Sequence, residues 1–422
     1  MQPSTIAIII MVLTLIAYVT NIIPAVLTTI ISILAMHFTG ILTAAQTMSG
    51  WGGTAAIMIL GMNIVGGAFF TTGLSASIGR FLYKSAGGSE KGFLLTAMLL
   101  ATVLALFINP MAIISIFMPI IDSVESQSGG KVSRKMLYLP VGIAAIYGGS
   151  LTAVSTSCAV TGNGLLEAAS GQTFSLLHPA MLVGPGVIAE FVIMATFGYP
   201  LLKKCFNFES PALPAAATAG NGTSEQKLDK TKVAILAAVL IAAICCFAFT
   251  KLNMGIIALS AATILMVTGC ISVKEAFSRV SWTTIALVAG GIAIGTGIQS
   301  SGAAEVLANG VIGAAGQSPY LLCVVVLVFS TILSNLMANT STVVVTAPIA
   351  IGIAQAIGAD ILPFVLAAVV GANFSVSTIL ANASVAITAP AGYRFKDFFL
   401  WGGIVNLVAT ILGIIALKIF FF

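Results

Sequence analysis

Two polar interruptions in oily sequence decide the fold: Phe107-Ile-Asn109-Pro110-Met111-Ala112 and Ser334-Asn335-Leu-Met-Ala338-Asn339-Thr340-Ser341-Thr342. Irregular backbone at membrane depth survives only where protein or water satisfies its N–H and C=O groups. The apolar arms beside the first interruption run about 17 and 10 residues. Each is short of the roughly 20 residues that cross a bilayer as helix. The spacing therefore predicts chain that enters the membrane and returns on one side, as re-entrant hairpins near 93–121 and 320–357. The return helix of such a hairpin aims its positive N-terminal end at the membrane centre, where it attracts anions. Asn, Thr and tip carbonyl oxygens are ligands for a hard cation such as Na⁺.

The rest of the composition agrees with a lipid solvent. Apolar residues make up 59% of the 422 and charged ones 7%, against about a quarter in soluble domains. Runs such as Ile6–Val19, Val233–Phe249 and Ile404–Leu417 do not alternate, so they read as helix and not as β-barrel strands. The fold class expected is an all-α membrane protein. The net charge of +5 is spread over short clusters beside apolar segments, the signature of cytoplasmic loops, and gives no footprint for nucleic acid. The six cysteines lack CxxC spacing and His partners and read as small buried residues. No Lys or Arg precedes the first apolar stretch, so that stretch is expected to be retained and not cleaved as a signal.

The two interruptions belong to a repeat. Thr54 to Gly73 matches Thr283 to Gly302 at an offset of 229, and the same offset carries Pro119 to Pro348. Ala144-Ala-Ile-Tyr-Gly148 matches Ala367-Ala-Val-Val-Gly371 with a shift of a few residues. The domains expected are a first repeat over 1–205, a polar linker over 206–231 and a second repeat over 232–422. Arg80, Lys84 and Lys91, then Lys131, Arg134 and Lys135, flank the first hairpin, whereas Val280–Tyr393 holds no Lys or Arg. By the positive-inside rule the first hairpin faces the cytoplasm and the second the exterior, which makes the repeats inverted. Lys203, Lys204, Lys227, Lys230, Lys232, Lys274, Arg279, Arg394 and Lys396 fall inside as well; Lys251 and Lys418 are the exceptions. About ten spans plus two hairpins follow, in the cell membrane, with the linker cytoplasmic and both termini external. Spans are expected near 4–22, 25–39, 54–72, 137–159 and 178–202, then 233–250, 254–272, 283–299, 361–388 and 399–420. Inverted repeats around a midplane site are the recurrent plan of secondary transporters.

A second matched pair of polar clusters breaks the span after each hairpin: Gly148-Gly-Ser150-Leu-Thr152-Ala-Val-Ser155-Thr156-Ser157 and Gly371-Ala-Asn373-Phe-Ser375-Val-Ser377-Thr378. Single hydroxyls glue packed helices, but two matched clusters beside two matched tips read as a site. Glu190 lies near the middle of its span, and an intramembrane carboxylate is a functional candidate, here either a proton carrier or a scaffold partner of a hydroxyl. His37 and His178 sit near span ends, and Asp397, after Arg394 and Lys396, reads as a surface ion pair.

Ala389-Pro-Ala-Gly392-Tyr-Arg-Phe-Lys-Asp397-Phe resembles the Gly-Tyr-Arg/Lys-Phe-x-Asp closing motif of the divalent anion:sodium symporter family, within the ion transporter superfamily. Gly148–Ser157 resembles its Gly-Gly-Thr-x-Thr stretch, and Ala338-Asn339-Thr340-Ser341-Thr342 its Ser-Asn-Thr hairpin tip. The resemblance implies a homodimer with an elevator-like hairpin domain, Na⁺ at each tip and loop as coupling ion, no other cofactor, and a dicarboxylate, tricarboxylate or sulfate as substrate. Carried over by residue, it marks Asn109, Thr152, Asn339, Thr340, Ser377 and Thr378 for substrate. For Na⁺ it marks Asn109, Ser150, Ser155, Thr156, Asn339, Ser341 and Ser375. Pro110-Met111 departs from the polar pair the family keeps at the first tip, and Thr378-Ile-Leu-Ala-Asn382 replaces its Pro-Pro-Asn.

The function expected is Na⁺-coupled symport of a small anion. Proton-coupled organic-acid transport, exchange or sodium/proton antiport is the alternative; antiport wants acidic residues at the tips, and neither tip has one. An enzyme is not expected: neither His lies mid-span to serve a membrane serine protease, and no acidic cluster awaits Mg²⁺.

Overall fold

The computed structural model describes residues 1–73, 89–128, 131–208, 210–211, 229–250, 252–379 and 382–422. Most of the expected linker lies outside the described residues, as do Arg80, Lys84, Lys227 and Lys251 from the charge pattern. The described chain is helical throughout, without a strand.

Helices α1 (Pro3–Thr20) and α2 (Ala25–Phe38) lead to α3 (Thr54–Thr71). The first hairpin is α4 (Glu90–Ala105) and α5 (Pro110–Gln127), followed by α6 (Arg134–Gly149), α7 (Ser157–Ser170) and α8 (His178–Ile193). The second half runs α9 (Lys230–Phe249), α10 (Met254–Val267), α11 (Trp282–Ser300) and α12 (Ala303–Ala315). Its hairpin is α13 (Pro319–Ser334) and α14 (Asn339–Ala356), followed by α15 (Ile361–Asn373) and, last, α16 (Gly403–Phe421). Both bounds of α13 lie 229 residues after those of α4, and both bounds of α14 lie 229 after those of α5.

Among the described residues, six stretches are long and apolar enough to cross a membrane, and α12 with α13 adds a seventh if that pair, bent by 108°, counts as one. Helices α2, α10 and α15 are shorter apolar helices. The molecule is a multi-pass membrane protein.

The structure corrects several expected bounds. The return arm α5 has 18 residues, not about ten. Pro119 sits inside it, and Asp122, one residue past the expected bound of the hairpin, accepts a hydrogen bond from Tyr138 and lies 3.8 Å from Arg134. A carboxylate with partners is tolerated where an unpaired one is not, so the helix continues. The expected span 137–159 is two helices, α6 and α7, parted by residues 150–156 (loop 1). The expected span 361–388 stops at Asn373 and gives way to irregular chain (loop 2) that reaches a short helix at Ala383–Ala386. Helix α12 has no counterpart in the sequence reading.

Small residues set the helix contacts, as is usual where lipid removes any hydrophobic drive between helices. A Cβ on Gly148 of α6 would lie 2.5 Å from the Thr102 carbonyl oxygen of α4. At the matching place in the second half, a Cβ on Gly371 of α15 would lie 2.3 Å from the Leu327 carbonyl oxygen of α13. Each glycine lets the first arm of its hairpin lie directly on the helix that carries its loop.

Asp397 is 3% exposed, and its carboxylate accepts the Arg394 backbone N–H at 2.7 Å. The surface ion pair read from the sequence is therefore corrected to a helix cap; a carboxylate near the first N–H groups of a helix is stabilised there. The neighbouring Tyr393 packs on Phe206, Phe208 and Phe398 and donates its hydroxyl to the Lys135 carbonyl oxygen at 2.7 Å. The closing motif thus joins the start of the expected linker to α6.

Candidate functional site

In each half the loop is tied to the tip of its hairpin by the same bond. Thr152 donates its hydroxyl to the Leu106 carbonyl oxygen at 2.6 Å, and Thr378 donates to the Asn335 carbonyl oxygen at 2.7 Å. Leu106 and Asn335 are 229 residues apart. These carbonyls follow the last turn of the entering arm, where no intrahelical N–H remains for them. The hydroxyl clusters that break α6–α7 and end α15 supply the missing donors.

The two halves then differ. In the first, Ser155 donates to the carbonyl oxygens of Ala105 and Ile108, and Asn109 caps α5 by accepting the Met111 N–H at 2.9 Å. In the second, the tip side chains do the binding. Asn335 donates to the Thr331 and Phe374 carbonyl oxygens at 2.8 and 3.2 Å and accepts the Ser377 N–H at 3.2 Å. The Asn339 carboxamide oxygen accepts hydroxyls from Ser375 at 2.7 Å and Ser334 at 3.2 Å. Asn406 of α16 donates to Ser377 at 2.9 Å. At the 229 offset Asn109 matches Ala338, and Pro110 matches Asn339. Asn109 is thus a helix cap, whereas Asn339 is the first residue of its helix.

The halves meet where α7 begins. Thr156 caps α7 by accepting the Ala159 N–H at 3.3 Å, and Asn373 at the end of α15 donates to the same hydroxyl oxygen at 3.5 Å. Cys158 in the first turn of α7 interacts with Thr340 at the second tip.

A cavity of about 530 Å³ opens beside this junction. Tip 1 contributes Asn109 and Met111, loop 1 contributes Ser155 and Thr156, α7 contributes Ser157, and α3 contributes Asn63 and Gly67. Arg279 and Thr284, at and after the turn into α11, line it as well. The N-terminal ends of α5 and α7 both reach this space, and helix N-termini favour negative charge.

Of the residues expected from sequence, Asn109, Ser155 and Thr156 line the cavity. Ser150 and Thr152 are buried and turned to the backbone of Ile146 and Leu106, so they hold the loop and do not line this cavity. Asn339, Ser375, Ser377 and Thr378 form the second tip–loop junction, with Thr340 turned to Cys158 and Ser341 buried in α14. Sequence reasoning missed Asn335, Asn63 and Arg279. Asn335 was visible as a second Asn four residues before Asn339; Arg279 was visible only as a charge marking orientation.

A family model described as citrate transporter matches residues 6–371 and again 244–422. The chain belongs to the citrate transporter family. A citrate transporter family member of this size also resembles curated transporters elsewhere. It is 24% identical over 433 residues to the sodium-dependent dicarboxylate transporter SdcS of Staphylococcus aureus, a match covering 94% of this chain and 82% of that one. It is 29% identical over 187 residues to the uncharacterized transporter sll0640 of Synechocystis, covering 44% of this chain and 30% of that protein. An uncharacterized transporter of Haemophilus influenzae is 29% identical over 159 residues, 34% of its length. The match thus spans about a third of these two relatives. The fold is shared with the YdaH transporter of Alcanivorax borkumensis, at a TM-score of 0.59 and 12% identity, over 99% of this chain and 98% of that one. The relatives place the family member in the ion transporter superfamily to which the closing motif pointed, among transporters and not enzymes.

Proposed function

We propose that this protein is a secondary transporter that moves a small carboxylate anion across the cell membrane, driven by Na⁺. The observation that carries the reading is the cavity of about 530 Å³ at tip 1, with the N-terminal ends of α5 and α7 facing it. That size is in the range of small-molecule sites, ~300–1,000 Å³, and its donors suit an anion. Na⁺ coupling is supported by the second junction, where Asn339, Ser334 and Ser375 bring three neutral oxygens within hydrogen-bond distance, the hard donor set such a cation takes. The same coupling is named for SdcS. An elevator motion of the hairpins, a homodimer, external termini and a cytoplasm-facing first hairpin complete the proposal; under that orientation the cavity belongs to the cytoplasmic side.

In proteoliposomes, an inward Na⁺ gradient is expected to drive accumulation of labelled citrate or succinate, and its collapse to stop it. Accumulation that ignores the gradient removes the sodium claim.

One observation favours proton coupling as a second reading. Glu190 is 1% exposed, and among the described residues neither carboxylate oxygen has a hydrogen-bond partner. Ionising it would leave an unpaired charge in apolar packing, at a cost of several kcal/mol. The Tyr147 hydroxyl and Trp401 Nε1 are likewise buried without partners. Tyr147 interacts with Glu190, and its ring lies 5.6 Å from that of Phe374, whose carbonyl accepts from Asn335. A proton arriving at Glu190 is therefore two side chains from the second tip. Under this reading Glu190→Gln, which mimics the protonated acid, abolishes uptake driven by a pH gradient and leaves binding intact. Unaltered pH-driven uptake in that variant discards it.

A further inference from the structure

Helices α8 and α16 pack together, and at one end their pairing gathers positive charge. Beyond Ile193 the chain of α8 passes through a π-helical turn, Met194–Gly198, and runs on as helix to Cys205; a second such turn, Phe398–Gly402, precedes α16. The two runs lie antiparallel. A Cβ on Gly198 would sit 2.9 Å from Trp401 Cη2, and the rings of Phe206 and Tyr393 lie 5.0 Å apart. That register brings Lys203 and Lys204 level with Arg394 and Lys396, and all four are exposed. The Lys203 ammonium lies 5.4 Å from the centre of the Tyr199 ring, a contact that holds a cation in place without neutralising it. None of the four lines the cavity at tip 1.

Among the described residues these cations have no ion-pair partner; the ion pairs within 4.0 Å are both on Arg134. Asp397, the carboxylate within the cluster, is buried and accepts the Arg394 backbone N–H, and counting it still leaves the cluster positive. Glu90, beside Tyr199, is taken by the Tyr199 hydroxyl at 2.5 Å and the Ser133 N–H at 2.8 Å. Like charges brought level repel, and Lys396 stands at a helix N-terminus, where the dipole favours an anion. Towards the membrane from the cluster, the same two runs expose Phe197, Phe399 and Leu400, at 57, 63 and 42%. A basic rim above an exposed apolar face is complementary to a phospholipid of negative charge, with phosphate at the cations and chains along the aromatic face. We propose that this end of the α8–α16 pair binds the headgroup of an anionic phospholipid, which bridges Lys203 and Lys204 on one run to Arg394 and Lys396 on the other. The site is independent of what the protein transports.

The test is native mass spectrometry and thermal unfolding of the purified full-length protein in detergent, with phosphatidylglycerol, phosphatidylcholine or glycerol 3-phosphate added. Wild-type protein is expected to retain phosphatidylglycerol and to gain Tm with it, and to do neither with phosphatidylcholine. Glycerol 3-phosphate carries the charge without the chains and should protect far less; equal protection by it would overturn the lipid as occupant in favour of a free phosphate. Lys203→Gln combined with Lys396→Gln is expected to weaken phosphatidylglycerol by about 5-fold for each lysine removed, the scale of one basic residue at an anionic surface. Either single variant serves if the pair does not fold. Lys418→Gln is the control, because Lys418 is also exposed and lies 4.9 Å from the Tyr320 ring, at the opposite end of α16; it should retain the lipid as wild type does. Equal phosphatidylglycerol affinity in wild type and the Lys203 and Lys396 variants would overturn the proposal. So would an equal loss in Lys418→Gln, or no preference over phosphatidylcholine.

Discussion

Replacement of Asn335 by Ala is expected to stop transport altogether and to lower thermal stability as well. Its side chain makes three hydrogen bonds, to the Thr331 and Phe374 carbonyls and from the Ser377 N–H, and its own carbonyl receives Thr378. Through Asn335 the second tip holds loop 2 at both Phe374 and Ser377. Removing it leaves the Phe374 carbonyl and the Ser377 N–H without their partners in a region where both residues are buried. Each orphaned buried group costs about 1–3 kcal/mol, so for the two a loss of about 2–6 kcal/mol is expected, visible as a lower Tm in detergent. Transport should fall further than stability accounts for, because tip and loop no longer keep Asn339 against Ser375. Uptake above a tenth of wild type, measured at a temperature where the variant stays folded, would contradict the role given to this junction.

Gly371→Val should have the largest effect on folding. The first atom of any side chain there falls 2.3 Å from the Leu327 carbonyl oxygen and 2.8 Å from Ser330 Cβ. The obstacle at Leu327 is helix backbone, which cannot turn aside as a side-chain end can. Overpacking of this kind costs about 1–3 kcal/mol where neighbours yield, and more is expected where the whole arm α13 must lift from α15. The expected outcome is protein that aggregates on extraction, checked by size-exclusion chromatography. Gly184→Val is the control, since its Cβ meets nothing within 4 Å. If both variants elute as wild type does, the close approach of arm and span is not what holds the hairpin.

The hairpins were legible because their tips contradict the surrounding oil. Asn109-Pro110 and Asn335 through Thr342 are residues that an uninterrupted membrane helix does not want, and the repeat doubled the signal. The loops were legible for the same reason in part: Gly148 and Gly371 with their hydroxyl clusters marked a break. The extent of the break was not legible, because Phe374, Val376 and Ile379 keep the chain as apolar as helix. Only the pairing of Phe374 and Ser377 with Asn335 shows why residues after 373 leave the helical path. The end of the first hairpin erred in the opposite sense. The apolar run stops at Ile121, whereas Tyr138 and Arg134, beyond the next turn, make Asp122 compatible with a continuing helix. Arg279 illustrates the limit most clearly. In sequence it is one more basic residue beside a span; its place at the cavity comes from Gly67, Phe70 and Ser155, which belong to segments that only folding brings together.

The hairpins keep one register across the duplication, whereas the loops that follow have drifted by several residues. Helical phase accounts for the difference. Inserting one residue into an arm turns everything beyond it by roughly 100°, which would swing the Leu106 or Asn335 carbonyl off the bearing of its threonine. An irregular loop absorbs an extra residue by bulging, and Thr378 still finds its target although it lies two positions further from the end of its helix than Thr152 does. Length changes have thus been filtered by the geometry itself: forbidden in the rods, permitted in the slack between them.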